Sequence, residues 1–593
     1  MPFGAEVTAA GAVRFQLWAP AAQRVELLLY QGASTRTEPL APLAGGWFAL
    51  DSSAAHAGSR YRFRIDGERE VPDPASRFNP EGVHGPSEVI DPTDFRWDDL
   101  DWRAPPWHTS VIYELHVGTF SAPGTYAATA ERLAHLAALG VTAIELMPVA
   151  AFPGARGWGY DGVLLYAPHA PYGTPQDLKA LIAAAHRYGL AVILDVVYNH
   201  FGPEGNYLHL YAPQFFNAQR TTPWGAAINF DGEASHTVRD FFIHNARYWL
   251  EEYHCDGLRL DAVHAVYDSS ETHIVSEIAV AARASSGAGG ATRTVYLTLE
   301  NYDNAARLLG AEGGAASADA QWNDDVHHCL HALLTGESEG YYADYTATPG
   351  TLLCRALAEG FAYQGERSRY LGASRGEPSA QLPPSAFIDF LQNHDQVGNR
   401  VHAERLSRLV SEPAALRAAT ALLLLAPHPP LLFMGEEWAA PQPFPWFCDY
   451  EPQLLERVRE QRAREFPGAA DPGAAATFAS AQLDWSRLGE RAHARVLHDY
   501  RRLLSLRRRV IVPLLPQLRA GRCSRGAAAA AFAVDWPAGG TTLRLLANLG
   551  ARPAPLPAPA AGRLLYATHP GIRALRAGAA LPPWSVLWLL ERA

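Results

Sequence analysis

Arg259 and Asp261 stand two residues apart in GLRLDAVHA (257–265), a stretch whose first half otherwise reads as a buried strand. Residues i and i+2 of a strand share a face, so a guanidinium and a carboxylate are aimed together at one place. Charges on a buried strand are costly unless they are paired or used. Other strand-like stretches end in the same way: LAVILDVVYNH in Asp195, Asn199 and His200, TVYLTLEN in Glu300, and SAFIDFLQNHD in His394 and Asp395. Carboxylates end four such stretches, with no cysteine nucleophile, phosphate loop or metal-ligand cluster beside them. A retaining glycosidase uses that inventory: an ionised carboxylate attacks the anomeric carbon, and a protonated one gives its proton to the leaving oxygen. Arg259 is predicted to lower the pKa of Asp261 and keep it charged as nucleophile. Glu300 is the candidate acid, which needs a raised pKa. Calcium at Asp195, Asn199 and His200 is the competing reading, but no dense acidic loop completes an oxygen cage, so neither metal nor cofactor is expected. Tyr160 in GWGYDG, Trp224 in TPWGAAINF and Trp322 in AQWNDD lie on strand-end segments, where rings can stack on sugar faces.

These residues need a scaffold that brings strand ends together. From Val111 onward, short apolar strands alternate with helical stretches such as TYAATAERLAHLAALG and TPQDLKALIAAAHRYG, the latter with Thr174 as N-cap and Pro175 at the first helical position. Counting a faint strand near ADAQWNDDVHHCL gives eight. The alternation argues for a parallel sheet, and eight strands argue for a closed (β/α)8 TIM barrel with its active site at the C-terminal ends of the strands. The barrel is expected over 106–508, with an irregular insertion at 201–234. Before it, 1–92 reads as an N-terminal β-sandwich, followed by a linker rich in Asp, Pro and Trp; after it, 511–593 reads as a C-terminal β domain. The fold class is therefore α/β.

Composition narrows the partners. The 593 residues carry a net charge of −11, which argues against nucleic acid and anionic membranes. The most apolar run, AALRAATALLLLAPHPPLLFMG, is interrupted by His428 and prolines and falls short of a membrane span. The N-terminus shows no basic region followed by an apolar one, so no signal peptide is expected. The five cysteines show no CxxC spacing and an odd total, and read as buried free thiols of a reducing cytoplasm.

At DVVYNH (195–200), GLRLDAVHA (257–265), YLTLEN (296–301) and FLQNHD (390–395) the chain resembles the α-amylase family of glycoside hydrolases, with all four signature regions in order. Residue by residue, the resemblance implies Asp261 as nucleophile, Glu300 as general acid/base and Asp395 as a third carboxylate that grips sugar hydroxyls. It places Tyr160, His200, Arg259 and His394 around the ring being cleaved. The phrases LMPVAAFPGARGWGYDGV, HFGPEGNYL, PWGAAINFDG and QNHDQVGNR are similar to one branch of that family. Its members cleave the α-1,4 bond next to the terminal trehalose unit of maltooligosyl trehalose. A Lys-His pair common in the family after the nucleophile is replaced here by His264 and Ala265. His264 and the NYDN after Glu300 face the leaving-group side, where trehalose is told from maltose. Glycogen branching enzymes share the plan but carry Pro-Gly rather than Tyr-Asn before the first histidine; debranching enzymes share more. A non-catalytic glucan-binding protein is the reading of another class, and such proteins usually lose one of the three carboxylates.

Overall fold

The computed structural model describes residues 1–284, 293–310, 314, 316–558, 561–569 and 580–592. Its centre is a closed barrel of eight parallel strands: β1 (Ile112–Leu115), β2 (Ala143–Leu146), β3 (Ala191–Val196), β4 (Gly257–Leu260), β5 (Tyr296–Leu299), β6 (Ala320–Trp322), β7 (Phe387–Phe390) and β8 (Pro430–Phe433). The ring closes by pairing Ile112 with Leu431. The faint strand is β6, only three residues long, yet it pairs with both neighbours. Three residues are too few to show a periodicity, which explains the weak signal.

Inward side chains alternate along each strand. Ile112, Ala143, Ile193, Trp322, Ile388, Phe390 and Leu431 fill the barrel interior, with Trp102 and Trp107 packed against them. The Trp-rich stretch read as a linker is therefore the plug of the barrel's N-terminal end. It is fastened by the Trp102 indole donating to Asp256 (2.8 Å) and the Trp107 indole donating to the carbonyl of Ser385 (2.8 Å).

The helix after β2, Pro175–Arg187, carries the predicted cap as a full capping box: Thr174 accepts from the Asp177 amide and Asp177 accepts from the Thr174 amide. Residues 201–234 are more ordered than expected. They hold a short helix, Leu208–Tyr211, and a hairpin of Phe216–Thr222 with Gly225–Ile228.

The N-terminal module has two antiparallel sheets. One contains Gly4–Val7, Val13–Trp18 and Trp47–Ser52, and the other Val25–Gln31, Ser34–Pro39 and Arg60–Ile65. Phe3 packs edge-on to Phe241 and Trp18 to Phe215, so the sandwich is seated on the barrel by aromatic contacts. The C-terminal module centres on a five-stranded sheet that includes Ala531–Ala538, Thr541–Asn548 and Ser585–Arg592. Its Trp536 and Trp588 stack at 5.8 Å and donate to the carbonyls of Leu357 and Ala421, in the barrel helices Pro349–Glu359 and Pro413–Leu425.

The expectation of five free thiols is corrected. Cys354, in Pro349–Glu359, is bonded to Cys523, in Arg522–Arg525, across 169 residues of sequence; Cys255, Cys329 and Cys448 are free and buried. No spacing rule reaches that far, because the pair meets only where the C-terminal sheet docks on the barrel.

Candidate active site

The polar residues from the strand ends converge around one buried guanidinium. Parallel register sets Asp195 beside Arg259 and Arg259 beside Thr298. Arg259 is fully buried. Its Nη1 donates to both oxygens of Asp195 (2.9 and 2.8 Å) and to Oδ1 of Asp261 (2.7 Å), and its Nη2 lies 3.6 Å from Oε2 of Glu300. Gly257 lets β4 lie close to β5, since a Cβ there would stand 2.6 Å from the carbonyl of Tyr296.

The residue after Asp261 turns sharply. Ala262 has φ 41°, a left-handed conformation that a non-glycine residue holds only at a cost. The turn aims the Ala262 amide at Glu300, which accepts at 2.6 Å, while the Val263 amide donates to the Glu300 carbonyl. One strained residue thus ties the β4 carboxylate to the β5 carboxylate.

The third carboxylate comes after β7. Asn393 caps a short helix, His394–Gly398, through the Gln396 amide. Within it, Nε2 of His394 lies 3.5 Å from Asp395, and Asp395 accepts from Asn399 at 3.2 Å. His394 also donates its amide (3.0 Å) and its Nδ1 hydrogen to Glu114 of β1. Burial pulls the imidazole down, but the charges of Asp395 and Glu114 outweigh it, and its pKa is pushed up to about 9. His394 is thus a second buried cation.

Tyr160 closes the ring from the hairpin after β2. Its hydroxyl donates to Asp195 at 2.6 Å, and its ring stacks on His394 at 5.0 Å. Gly159 before it has φ 101°, and a Cβ there would stand 2.2 Å from the carbonyl of Pro148. His200 is buried, held neutral at low pH with its pKa pulled down to about 4 by burial, and stacks on Trp224 at 5.4 Å. Trp224 itself is 48% exposed. His264 sits apart from the ring: its Nδ1 accepts from the Tyr302 amide at 3.3 Å, and it lines a cavity of about 270 Å3 with Asn301, Arg220 and Arg307.

Two expectations are corrected. Trp322 is no sugar platform: it is 1% exposed, inside the barrel, with the Arg259 guanidinium 4.1 Å above its ring. Nor is Asp261 held below the ordinary carboxylate range. Burial pushes it well above; Arg259 opposes this, but the nearby charges of Glu300, Asp195 and Asp395 add to it. One guanidinium shared between Asp195 and Asp261 does not neutralise so many carboxylates. The cleft is consequently hungry for positive charge beside Asp261.

Sequence reasoning missed Glu114, which orients His394, and Glu145 of β2. Glu145 is buried with neither oxygen hydrogen-bonded, and burial, then the charge of Glu114, pushes its pKa well up. Both carried the signal used for Arg259, a charge inside an apolar strand (VIYELH, TAIELMP). Among the described residues, no group of three or more His, Cys, Asp or Glu is arranged to hold a metal ion.

Comparison with known proteins places this architecture. Residues 90–224 match the family model of the alpha amylase catalytic domain, residues 2–92 match carbohydrate-binding module 48 (isoamylase N-terminal domain), and residues 518–588 match a domain of unknown function. Residues of this chain are 44% identical over 508 positions to the malto-oligosyltrehalose trehalohydrolase of Deinococcus radiodurans, covering 84% of this chain and 81% of that one. The enzyme of the same name from Rhizobium sp. (strain M-11) is 39% identical and covers 98% of both chains. The chain belongs to the malto-oligosyltrehalose trehalohydrolase family. Within the α-amylase family, a 1,4-alpha-glucan branching enzyme of Corynebacterium jeikeium matches only 43% of this chain, at 34% identity, so the branching alternative is not favoured. The crystal structure of a protein described as a putative alpha amylase from Salmonella typhimurium superposes with a TM-score of 0.93 at 44% identity, covering 100% of this chain and 99% of that one.

Proposed function

We propose that this chain hydrolyses the α-1,4-glucosidic bond next to the terminal trehalose unit of maltooligosyl trehalose, releasing trehalose, with retention at the anomeric carbon. The carrying observation is the grouping of Asp261, Glu300 and Asp395 around Arg259 and His394, in a chain whose relatives bear the trehalohydrolase name over most of its length. In this reading a carboxylate oxygen of Asp261 attacks the anomeric carbon as Glu300 passes its proton to the glycosidic oxygen, and trehalose leaves. Glu300 then takes a proton from water, which attacks the glycosyl–Asp261 ester and frees the maltooligosaccharide. The oxocarbenium charge that develops beside Asp261 meets the negative surroundings described above, so stabilisation grows on the way to the transition state. Asp395, beside the His394 cation, would grip ring hydroxyls; Tyr160 and His200 would contact the same sugar, and His264 the leaving side.

The working units are 1–92, 106–508 and 511–593. Aromatic seating of the sandwich on the barrel supports a buttressing role for it, with α-glucans as the substrate class of the cleft. No helix among the described residues is long and apolar enough to cross a membrane. A cytoplasmic place in trehalose biosynthesis is part of the proposal, and the Cys354–Cys523 bond is the observation against that compartment, since disulfides persist mainly in oxidising ones.

Product analysis on maltopentaosyl trehalose, beside maltoheptaose and glycogen, tests the reading. Rapid trehalose release from the first, with little attack on the others, is expected. Equal cleavage of maltoheptaose, or transfer and debranching on glycogen, would sink the trehalose claim and leave the three carboxylates in place.

A further inference from the structure

The strand ends hold one more carboxylate that the reaction above does not use. After β6, the Asn323 amide side chain donates to the carbonyl of Gly360 (3.0 Å) and to Asp389 (2.9 Å), pinning the turn into the helix Asp324–Thr335. The first two residues of that helix are both aspartates, with opposite fates. Asp325 is fully buried and saturated: it accepts from Asn304, from the amides of Ala362 and Tyr363, and from Arg375 (2.8 Å). Asp324 is 8% exposed and accepts no hydrogen bond from any described residue, yet its oxygens are not sealed in the core. A carboxyl nine-tenths buried with no protein donor is expensive and calls for a partner.

Position says which partner. Around the barrel the order is Asp261 on β4, Glu300 on β5 and Asp324 after β6, so Asp324 lies on the far side of the proton donor from the nucleophile. It faces Tyr302, which belongs to the NYDN segment after Glu300 that the family resemblance sets on the leaving-group side. We propose that Asp324 determines specificity by hydrogen-bonding a hydroxyl of the leaving disaccharide. The inference rests on the trehalose-releasing reading above. Burial, with the charges of Glu300 and Asp395, pushes the Asp324 carboxyl up to about 8 against the pull of Arg375. At neutral pH it therefore carries a proton and offers a sugar hydroxyl both a donor and an acceptor, as an amide does. The titratable groups facing it are Glu300, Tyr302, Asp325, Tyr341, Arg375 and Asp395.

The test compares Asp324→Asn and Asp324→Ala with the wild type, on maltopentaosyl trehalose and on maltoheptaose. Asp324→Asn keeps a donor and an acceptor, so its kcat/KM on the first substrate should stay within about threefold. Asp324→Ala should lose about tenfold or more, the scale of one hydrogen bond to a substrate hydroxyl. The ratio of activities on the two substrates should fall with it. Equal loss on both substrates, or an unchanged ratio, would overturn the inference while the wild type still released trehalose. A wild type that releases no trehalose would overturn the proposed function and this inference together. Should the alanine variant not fold, trehalose product inhibition of the wild type decides. It should weaken as pH rises through about 8 and stay flat in Asp324→Asn, whereas the same pH dependence in both would overturn the assignment.

Discussion

Replacing Arg259 by glutamine probes the electrostatic centre of the site. The guanidinium touches Asp261 at 2.7 Å and Asp195 at 2.8 Å, and no other cation contacts either carboxylate among the described residues. An opposite charge at such range moves a carboxylate by about 1–3 pKa units, and each unit is worth about 1.4 kcal/mol. Without Arg259, Asp261 would rise further by that amount. At a fixed pH below both the present and the new pKa its ionised fraction would drop about 10- to 1000-fold, and kcat/KM with it. On the proposed role of Asp261 as nucleophile, which requires it ionised, the sign follows: a raised pKa moves the acid limb of the pH–rate profile to higher pH, so activity lost near neutrality is partly regained in alkali. The assay is kcat/KM for maltopentaosyl trehalose across pH, with a thermal melt as control, because leaving buried carboxylates unpaired costs about 3–5 kcal/mol unless they protonate. A folded variant whose activity falls uniformly, with the acid limb unmoved, would refute the reasoning and leave Arg259 a structural role only.

Three further outcomes are expected. Tyr160→Phe keeps the ring on His394 but removes the 2.6 Å bond to Asp195; a charge-assisted bond is worth about 1.5–3 kcal/mol, so kcat/KM should fall about 10- to 100-fold, and a loss below threefold would count against its role. Cys523→Ser should lower the melting temperature under non-reducing conditions by an amount matching about 2–4 kcal/mol, reductant should do the same to the wild type, and a variant as sensitive to reductant as the wild type would contradict the bond. Burial pulls His116 down to about 4, His169 to about 3 and His200 to about 4, so the folded state keeps them neutral while the unfolded chain takes up protons near 6.5. Stability from these groups is present above 6.5 and is lost as pH falls toward 4; His394, raised to about 9, contributes below 6.5 and loses its share as pH climbs through 9. Denaturant melts that stay level from pH 6.5 to 4.5 would rule out the first effect.

Much of the molecule was legible in the chain because its signals are local. Alternating strands and helices, the Thr174–Pro175 cap and the charges inside apolar strands each report on neighbours a few residues away, and together they imply a barrel with Arg259, Asp261, Glu300 and Asp395 at one end. Even the faint β6 was read from the rhythm of its neighbours rather than from its own three residues. Trp322 shows the limit of that reasoning: a tryptophan at a strand end can point into the cleft or into the barrel, and only the register of β6 turned it under Arg259.

By itself, then, the sequence determined the residue types, their order around the ring and the chemistry they permit, since parallel register converts strand order into neighbourhood. Tertiary structure alone decided the matters that depend on long-range approach. It made the Trp102–Trp107 stretch a barrel plug, joined Cys354 to Cys523 and set Glu114 under His394. It also summed several buried charges around Asp261 and reversed the direction expected from Arg259 alone. The physical reason is shared: burial and Coulomb interaction act between all groups that folding brings together, whatever their separation along the chain.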